Sequence, residues 1–521
     1  MIVKSEGLDN FFHNRYIEFS MIYTEQDILA LLQQGERVSL ECKRAENKLP
    51  RSIWETYSSF ANTNGGIILL GINEVKNEIE WERRYPIIGV KDSEKLLSDF
   101  WTMLNDTRVV NANLLTDDDV QVVDVQGVSV VLIKVPRADY RQKPIYIKDN
   151  LMYGAFKRNH EGDYHCSESD IRAMIRDANE DGNDGLLLED EYDMSCIDMN
   201  TLRAYRQMFQ NKNIAHSLNT KDDVDFLRCL GGCKVDKASG KVTLTMAGLL
   251  VFGQGLPIRE RFPMIRMDYI DKSNLVPGSR YSDRLTYDCD WENNLFQFIT
   301  ETIRRLCKAI PVPFVLNGVT RDDDPPLKKL VREAVTNMVI HADFMMEGVL
   351  RVEKDDNGYL FSNPGYLKLP VEDIFRGGTS KARNPKIQTM LRLIGYGDNL
   401  GTGFPTLVDI WSTLSGQVPI LEEKTDLQTV ELHFLGHVLD DTKNDTKNDT
   451  KNDTKKTIER RDAILRIIRD DNTISQAKMA EMLGISEITL KRALKNMEDL
   501  VRHFGPKNGG YWQVIENKDE K

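Results

Sequence analysis

The chain has 521 residues, of which 40% are apolar and 29% charged, and its formal net charge is −12 at pH 7. This length favours roughly three domains over a single core, and the acidic balance argues against a chain that coats nucleic acid with its whole surface, while a local basic face remains compatible with it. The lack of any run of about 18 apolar residues predicts that no segment spans a membrane, and seven scattered cysteines are typical of a protein of the reducing cytoplasm.

The first block covers residues 20–178 and mixes strand-like and helix-like patterns. The segment "RVSLECK" predicts a strand that places Val38, Leu40 and Cys42 on one face. A helix over "SIWETYSSFANT" and a buried strand over "GGIILLGINE" follow. Two more strands, "VQVVDV" and "VSVVLIKV", lie on either side of a Gln-Gly turn. Together these patterns predict an α/β domain.

Two motifs in this block resemble the hallmarks of the Schlafen-type AlbA nucleic-acid-binding domain. The first is Glu41-Cys42-Lys43 in the early strand, and the second is "FANTNGG", which runs into the strand that ends at Gly71. The later segment "KPIYIKDNLMYGAFKRN" is similar to the closing hairpin of that family, where a basic and aromatic edge is usual. The resemblance implies that this block binds DNA, with RNA as an alternative ligand.

Basic side chains of the block are candidates for contacts to phosphates. The candidate nucleic-acid-binding residues here are Lys43, Arg44, Lys157 and Arg158, since cations of this kind neutralise phosphates even in a chain of acidic total charge. Lys48 and Arg51 lie in the same region. The alternative interpretation is that each of these residues is an ordinary solvated surface charge.

Three carboxylates raise a second hypothesis for this block. Glu36 and Glu41 are five residues apart, and Glu74 follows the "GIN" strand. In the RNA-cleaving Schlafen proteins, two Glu at this spacing and a later Asp form a metal-dependent nuclease site, in which a divalent cation activates water. The resemblance therefore implies Glu36, Glu41 and Glu74 as catalytic residues of a nuclease, although the third is Glu here and not Asp. The alternative is that Glu41 serves the fold and binding.

A second block, residues 195–439, contains the helical segment "LVREAVTNMVIHADF". Read as a helix, it places Glu333, Asn337 and His341 in one stripe, at i, i+4 and i+8. The apolar residues Val331 and Val335 lie on a different side. A polar stripe at the edge of a core-facing helix indicates a site beside the core.

This second block resembles the C-terminal part of bacterial RecG-like or divergent AAA-type regulators, with a core similar to a degenerate GHKL ATPase. The E-x-x-x-N helix of that family corresponds to Glu333 and Asn337. The resemblance implies that the Asn337 amide oxygen binds the magnesium that accompanies ATP. It also implies that Glu333 is the catalytic residue of any hydrolysis, because it can orient or deprotonate the attacking water.

Further motifs of the fingerprint follow in order along the chain. "NGYLFSNPG" ends where the family has Asp-x-Gly, and a lid-like loop and a second glycine box come later. The implied cofactor-binding residues, besides Asn337, are His341, Asp343, Asn363, Gly365, Arg383, Gly401, Thr402 and Gly403. Asn363 can accept a hydrogen bond from adenine as the family's Asp does, but without its charge. The alternatives are that Glu333 and Asn337 are polar residues at a core edge and that the Asn-Pro-Gly segment is only a turn.

The last part of the chain contains a tether and a small module. Residues 440–456 repeat Asp-Thr-Lys-Asn, and a segment with so few apolar side chains is predicted to be a flexible linker. Residues 457–517 resemble a winged helix-turn-helix, with a turn at Gly484 and a hairpin over "VRHFGPKNGGYWQV". The resemblance implies DNA contacts, or else protein contacts. The candidate residues are Thr489, Lys491, Arg492, Lys495 and Lys507.

The sequence thus predicts an α+β multidomain protein: a Schlafen AlbA α/β domain, a GHKL-like α/β sandwich and a C-terminal winged helix-turn-helix. The favoured function is a cytoplasmic, homo-oligomeric transcriptional regulator that binds DNA, whose conformation or oligomeric state is biased by ATP and magnesium, with weak ATPase activity left open. The alternatives are a Schlafen-like ribonuclease or nuclease of stress or phage defence, and a catalytically dead interaction scaffold.

Overall fold

The computed structural model of the chain describes residues 22–35, 38–288, 290–308, 310, 316–317, 320–321, 325–397 and 403–436, together with 468, 474, 478–479, 501–504 and 511–514. The chain divides into two units, Met1–Val438 and Leu439–Lys521. The division falls at the start of the Asp-Thr-Lys-Asn repeat. Among the described residues, the helices are too short or too polar to cross a membrane.

The first domain is built on a four-stranded sheet of order β1-β2-β4-β3. Its strands are β1 (Leu40–Lys43), β2 (Gly66–Leu70), β3 (Val120–Val125) and β4 (Val128–Val135). β1 and β2 are parallel, whereas β4 is antiparallel to both β2 and β3. The helices are α1 (Glu25–Gln34), α2 (Ile53–Asn62), α3 (Trp81–Arg84) and α4 (Ser93–Leu104). α2 is the crossover that a parallel pair requires.

The sheet is buried on both faces, which explains its continuous apolar strands. Ile68 and Ile133 pack on one face with Trp54 of α2 and Phe100 of α4. Leu69, Val130 and Leu132 pack on the other face with Ile28 and Leu32 of α1. The predicted α/β elements are confirmed here, including the turn at Gln126 and Gly127, which both have positive φ.

The structure corrects two boundaries in this domain. The predicted strand "RVSLECK" begins only at Leu40, and Val38 lies exposed in the preceding turn instead of on the buried face. The closing hairpin consists of β5 (Phe156–Asn159) and β6 (Gly162–His165), so it lies further along the chain than "KPIYIKDN". α5 (Glu168–Asp177) follows directly.

Asn62 and Ser58 of α2 fix this hairpin through buried hydrogen bonds. Asn62 Nδ2 donates to the carbonyl oxygens of Ile145 (2.8 Å) and Phe156 (2.9 Å), and the Phe156 N–H donates to Ser58 Oγ at 3.0 Å. Because buried polar groups are costly unless paired, the Asn of the "FANT" motif serves the docking of the hairpin.

The second domain begins with a largely helical part. Its elements are α6 (Met199–Lys212), α7 (Asp223–Cys229), β7 (Cys233–Val235), β8 (Val242–Leu244), α8 (Met246–Phe252) and α9 (Gly255–Arg261). α8 is buried along its whole length. Gly248 in this helix is required, since a Cβ there would lie 1.9 Å from the Gly232 carbonyl oxygen.

A six-stranded sheet of order β10-β9-β13-β14-β16-β15 forms the rest of the second domain. The strands are β9 (Ile265–Asp271), β10 (Asp283–Leu285), β13 (Gly348–Asp355), β14 (Gly358–Pro364), β15 (Ile420–Lys424) and β16 (Thr429–Leu435), and the small pair is β11 (Leu316–Asn317) with β12 (Thr320–Arg321). β9 and β13 are parallel, and the other pairs of the large sheet are antiparallel.

The sheet shares one core with α10 (Leu295–Lys308), α11 (Pro326–His341), α13 (Pro385–Leu393) and α14 (Gly403–Ser415). The short helix α12 (Val371–Arg376) contributes no buried residue to this core. Val335 of α11 and Trp411 of α14 are buried in the same cluster as Val352 and Phe434 of the strands. Residues that alternate with these on β13 and β16, such as Arg351 and His433, are polar and partly exposed. One face of the sheet therefore carries the core.

In the C-terminal unit, β17 (Val501–Phe504) pairs antiparallel with β18 (Tyr511–Val514). This pairing confirms the hairpin predicted over "VRHFGPKNGGYWQV". The predicted recognition helix lies outside the described residues.

Candidate functional site

The α11 helix presents its polar stripe at the edge of the core, as its spacing predicts. Val331, Ala334, Val335 and Met338 are buried, while Glu333, Asn337 and His341 are only partly covered. The Asn337 Nδ2 group donates to Glu333 Oε1 at 3.3 Å. Because this contact occupies the amide nitrogen, the Asn337 Oδ1 atom is the one able to act as a ligand.

A cavity that opens to the solvent lies against this stripe, and we call it the α11 cavity. Its space between atoms is about 1010 Å³, which includes the solvent at its mouth. Its walls include Glu333, Asn337 and His341 of α11, Asn363 of β14 and Gly403 of α14. The apolar part of the lining is Ala334, Met338, Phe361, Leu367, Leu369, Ile374, Phe404, Leu421, Val430 and Leu432, and Tyr366 adds an aromatic ring. The polar part also contains Lys368, Thr379, Ser380, Lys381 and Gln388. Apolar walls with a few convergent polar groups are typical of small-molecule sites.

Gly403 is shaped by its contact with the stripe. A Cβ at this first residue of α14 would lie 2.1 Å from Glu333 Oε1. The glycine therefore lets α14 approach the Glu333 carboxylate closely. Gly401 and Thr402 of the predicted glycine box lie outside the described residues.

Asn363 is buried at the end of β14 and lines the same cavity. Its Nδ2 group donates to the Pro364 carbonyl oxygen at 3.3 Å. The side-chain oxygen is consequently the acceptor that this residue can offer to a ligand.

His341 is a cavity residue with a strongly perturbed pKa. Burial, and then the charges of Arg383 and Lys368, lower the pKa of His341 from 6.5 to about 4. The imidazole is therefore neutral at pH 7, and a neutral imidazole both donates and accepts a hydrogen bond.

Three predicted cofactor-binding residues, Asp343, Gly365 and Arg383, form a polar junction beside the cavity and are absent from its lining. The Arg383 Nε and Nη2 atoms donate to the two carboxylate oxygens of Asp177 at 2.6 and 2.8 Å. Asp343 pairs with Arg176 at 2.6 Å. Gly365 has φ +117, and a Cβ there would lie 2.9 Å from the Arg383 guanidinium.

The segment Arg383-Asn384 also closes the C-terminal end of α11. Arg383 donates to the His341 carbonyl oxygen, and Asn384 Nδ2 donates to the carbonyl oxygens of Val339 (3.1 Å) and Ala342 (2.8 Å). The last carbonyl groups of a helix have no hydrogen-bond donor within the helix. This segment supplies the donors for them. It thereby fixes the end of the helix that carries the site.

The two described carboxylates of the nuclease hypothesis are both paired with cations. Glu41 lies 2.9 Å from Lys43 and 2.9 Å from Arg158, and Glu74 lies 3.1 Å from Arg84. Glu36 lies outside the described residues. Cationic partners of this kind compete with a metal ion for the same oxygen atoms.

The four basic candidates of the first domain differ in their exposure. Arg158 is 1% exposed and bridges Glu41 and Asp163 at 2.9 Å each. Lys43 pairs with Glu41, and Lys157 pairs with the buried Asp170 at 2.8 Å. Arg44 is exposed, and its partner is Glu46 at 3.2 Å. Lys48 and Arg51 are also exposed. Arg158, Lys43 and Lys157 therefore form ion pairs within the protein. The exposed cations remain available to phosphates.

The remaining nucleic-acid candidates are Thr489, Lys491, Arg492, Lys495 and Lys507, which lie outside the described residues. Lys368 and Lys381 at the cavity were not identified from the sequence, because "YLKLP" and "TSKAR" carry no ligand motif.

A cluster that the sequence analysis did not single out lies on the polar face of the large sheet. Glu422, Glu431 and His433 place one ligand atom each within 4.8 Å of one another. The signal was present as E-x-H on a strand, which puts Glu431 and His433 on one face. Glu422 pairs with Lys424, and His433 Nε2 lies 3.2 Å from Glu431.

Comparisons with known families identify two kinds of domain in the chain. Residues 36–167 match the family model described as "Schlafen, AlbA_2", and residues 461–500 match "Winged helix-turn-helix DNA-binding". Residues 172–268 match a domain of unknown function, DUF8451. The chain therefore carries a Schlafen AlbA_2 domain and a C-terminal winged helix-turn-helix domain, which confirms the resemblances of these two parts. No curated protein matches the chain.

Two solved structures are similar to parts or most of the chain. The crystal structure of the DIP2311 protein from Corynebacterium diphtheriae is 17% identical, with a TM-score of 0.38, and the match covers 94% of this chain and 96% of that one. The N-terminal domain of a RecG-related protein from Nitrosomonas europaea is 27% identical, with a TM-score of 0.22. This match covers 28% of this chain and 94% of that domain's chain. Both TM-scores are too low to support an argument on function.

The pair of Arg383 and Asp177 yields a prediction on stability. Removing one partner of a buried pair leaves an uncompensated charge, so Arg383→Met should lower the free energy of unfolding by about 3–5 kcal/mol. In urea titrations, the double variant with Asp177→Asn should lose less than the sum of the two single variants. Arg392→Met, at an exposed position of α13, is the control and should change stability by about 0.5 kcal/mol or less. Additive losses would contradict this coupling.

The lowered pKa of His341 yields a prediction on pH dependence. The unfolded chain takes up a proton near pH 6.5, whereas the folded chain takes it up only near pH 4. The contribution of His341 to the free energy of unfolding should therefore fall as the pH drops from 6.5 to 4, by at most about 1.4 kcal/mol per pH unit. His341→Gln should flatten this slope in urea titrations, while His160→Gln at an exposed position should not. Parallel slopes for the wild type and His341→Gln would refute this assignment.

Proposed function

We propose that the protein is a nucleic-acid-binding regulator whose conformation or oligomeric state is biased by ATP bound in the α11 cavity. The observation that carries the proposal is the convergence of Glu333, Asn337, His341 and Asn363 on one cavity of about 1010 Å³. Three of these residues lie on α11 and Asn363 comes from β14. Glu333 and Asn337 are the residues of the E-x-x-x-N motif, and Asn363 begins the Asn-Pro-Gly segment. A ligand biases a conformation when it binds one state more tightly than the other.

The composition of the cavity fits a nucleotide. Phe361, Leu421 and Leu432 line an apolar part suited to a base, and the Asn363 oxygen supplies the acceptor for an adenine amino group. Lys381 contributes a cation suited to phosphates. The six-stranded sheet with helices that share its core is consistent with a GHKL-like sandwich, which is the fold that this proposal assigns to the second domain.

The donor set at α11 also fits magnesium that accompanies ATP. Asn337 would hold the ion through Oδ1, and an ion held there would neutralise phosphate charge. Glu333 lies one helical turn earlier and touches the Asn337 amide. In this position its carboxylate orients water or takes up its proton, which is the basis for weak ATPase activity.

Regulation would reach nucleic acid through two domains. The AlbA_2 domain offers its exposed cations Arg44, Lys48 and Arg51, and the winged helix-turn-helix would bind DNA from the end of the Asp-Thr-Lys-Asn tether. In a homo-oligomer, binding of one C-terminal module to DNA would raise the effective concentration of that DNA for the other modules. The nuclease alternative is less favoured, because Glu41 and Glu74 are held by Lys43, Arg158 and Arg84.

The nucleotide site is tested by equilibrium titration with a fluorescent ATP analogue in the presence of magnesium. Asn337→Ala should weaken binding about tenfold or more, which corresponds to about 1.4 kcal/mol. Glu333→Gln should retain binding and lose any hydrolysis. Asn211→Ala, at an exposed position of α6, is the matched control and should bind like the wild type. Equal affinity of the wild type and Asn337→Ala would refute the site.

The DNA contact of the C-terminal domain is tested by electrophoretic mobility shifts over a range of salt concentrations. The double variant Lys491→Ala, Arg492→Ala should bind DNA more weakly and reduce the salt dependence of log K by about one unit per lost phosphate contact. The exposed pair Lys234→Ala, Lys237→Ala is the control. An unchanged affinity and salt slope would place the contact elsewhere.

The nuclease alternative is tested by incubating the protein with RNA and manganese. No cleavage is expected. Cleavage by the wild type that is lost in Glu41→Gln would instead support the nuclease.

A further inference from the structure

A second cavity lies where the AlbA_2 domain meets the second domain. It encloses about 520 Å³ of empty space, part of it open to the solvent. The AlbA_2 side contributes Arg137, Tyr140, Lys143 and Lys157, and the second domain contributes Lys368 and Glu423. We call it the junction cavity. Its lining therefore brings together cations from two separate domains.

The cations of the junction cavity outnumber its carboxylates. Four cations, Arg137, Lys143, Lys157 and Lys368, line it against two carboxylates, Asp177 and Glu423. Both carboxylates already have partners: Asp177 is held by Arg383 (2.6 Å), and Glu423 lies 3.7 Å from Arg137. Lys157 pairs with Asp170 outside the lining. Two lysines are left to account for.

These two lysines are Lys143 and Lys368, and the ammonium group of each contacts a neutral group. Lys143 Nζ donates to the Asn62 carbonyl oxygen. Lys368 Nζ lies 4.4 Å from the centre of the Tyr140 ring. Within the described part of the chain, neither lysine has a carboxylate within 4.0 Å. Withdrawing an ammonium group from water without an anionic partner is unfavourable.

The electrostatic environment agrees with this geometry. Burial, and then the charge of Arg137, lower the pKa of Lys143 well below its ordinary value. Burial also lowers the pKa of Lys368. A bound anion would reverse both effects, since an opposite charge favours the charged form of a lysine.

We propose that the junction cavity is a binding site for a doubly charged phosphate group, held between Lys143 and Lys368. The two unpaired ammonium groups match the charge of a phosphate monoester, which is about −1.5 to −2 at pH 7, whereas a carboxylate would neutralise only one of them. The phosphate can come from the end of a nucleic-acid strand or from a free nucleotide or inorganic phosphate. The site does not depend on ATP binding in the α11 cavity.

Such a phosphate would connect the two domains. Lys143 belongs to the AlbA_2 side and Lys368 to the second domain, and the segment Tyr366–Lys368 lines both cavities. A phosphate in the junction cavity would therefore bias the position of a segment that also forms a wall of the α11 cavity. By linkage, the two ligands would then affect each other's affinity.

The test measures thermal unfolding of the full chain as inorganic phosphate is added at constant ionic strength. The Tm of the wild type should rise with phosphate, because a ligand that binds the folded state stabilises it. Lys143→Met and Lys368→Met should each weaken the apparent phosphate affinity about tenfold or more. Methionine keeps the length of the chain and removes a desolvated charge, so both variants are expected to fold. Lys95→Met, at an exposed position of α4, is the control and should respond like the wild type.

Two outcomes would overturn the proposal. Equal phosphate responses in the wild type, Lys143→Met and Lys368→Met would show a general effect of the salt on stability. A response that is lost in Asn337→Ala but retained in Lys143→Met would place the phosphate in the α11 cavity. The wild type could fail to bind nucleotide and still show a phosphate response that depends on Lys143. That result would refute the proposed ATP site and support the phosphate site.

The source of the phosphate is resolved by a second arm. Single-stranded oligonucleotides with a 5′-phosphate or a 5′-hydroxyl group are titrated into the wild type and Lys143→Met. A preference for the 5′-phosphate that Lys143→Met abolishes identifies a strand end as the source. Equal binding of the two oligonucleotides, together with a Lys143-dependent response to inorganic phosphate, identifies a free phosphate or nucleotide.

Discussion

The Arg383 guanidinium is the interaction on which the arrangement of the two large domains depends. It is buried and contacts Asp177 at the end of α5, the carbonyl oxygen of His341 at the end of α11 and that of Tyr366 after β14 (2.7 Å). A planar group with five donors can satisfy several acceptors at once, which a lysine cannot do. One side chain thus ties α5, the helix that follows the AlbA_2 match, to the helix and strand that line the α11 cavity.

The same helix, α11, serves both the core and the cavity. Its buried side packs on the sheet through residues such as Val335, and its polar stripe faces the α11 cavity through Glu333 and Asn337. Any change in the position of α11 would therefore move the polar groups that line the cavity together with the core. Packed cores do not deform continuously. Under the proposed function, a nucleotide that prefers one position of α11 would therefore act on the whole domain, and Arg383 would convey that preference to α5.

The AlbA_2 domain uses much of its conspicuous charge internally. Arg158 is enclosed by Glu41 and Asp163 and lies over the Phe60 ring, with 5.1 Å from the guanidinium carbon to the ring centre. A buried arginine in such a network is strongly held in place. It is not accessible for a contact with a nucleic-acid phosphate. The Glu-Cys-Lys motif and the basic hairpin are therefore linked by ion pairs. Exposed cations such as Arg44 remain the ones accessible to a partner.

The sequence by itself determined the local elements and the two flanking domain types. Alternation, glycine positions and the "FANTNGG" motif were sufficient to predict the four strands and the helix α2 of the AlbA_2 domain, but not its helices α1, α3 and α4. Helical spacing placed Glu333, Asn337 and His341 on one stripe. Only the tertiary structure decided which charges face ligands and which face each other. Arg383 and Asp177 are more than two hundred positions apart along the chain, and no periodicity reports a pairing over such a separation. The same holds for Lys143 and Lys368, which meet at one cavity because two domains pack together. Spacing along one helix or strand fixes direction, but contacts between distant segments depend on the packing of the whole core.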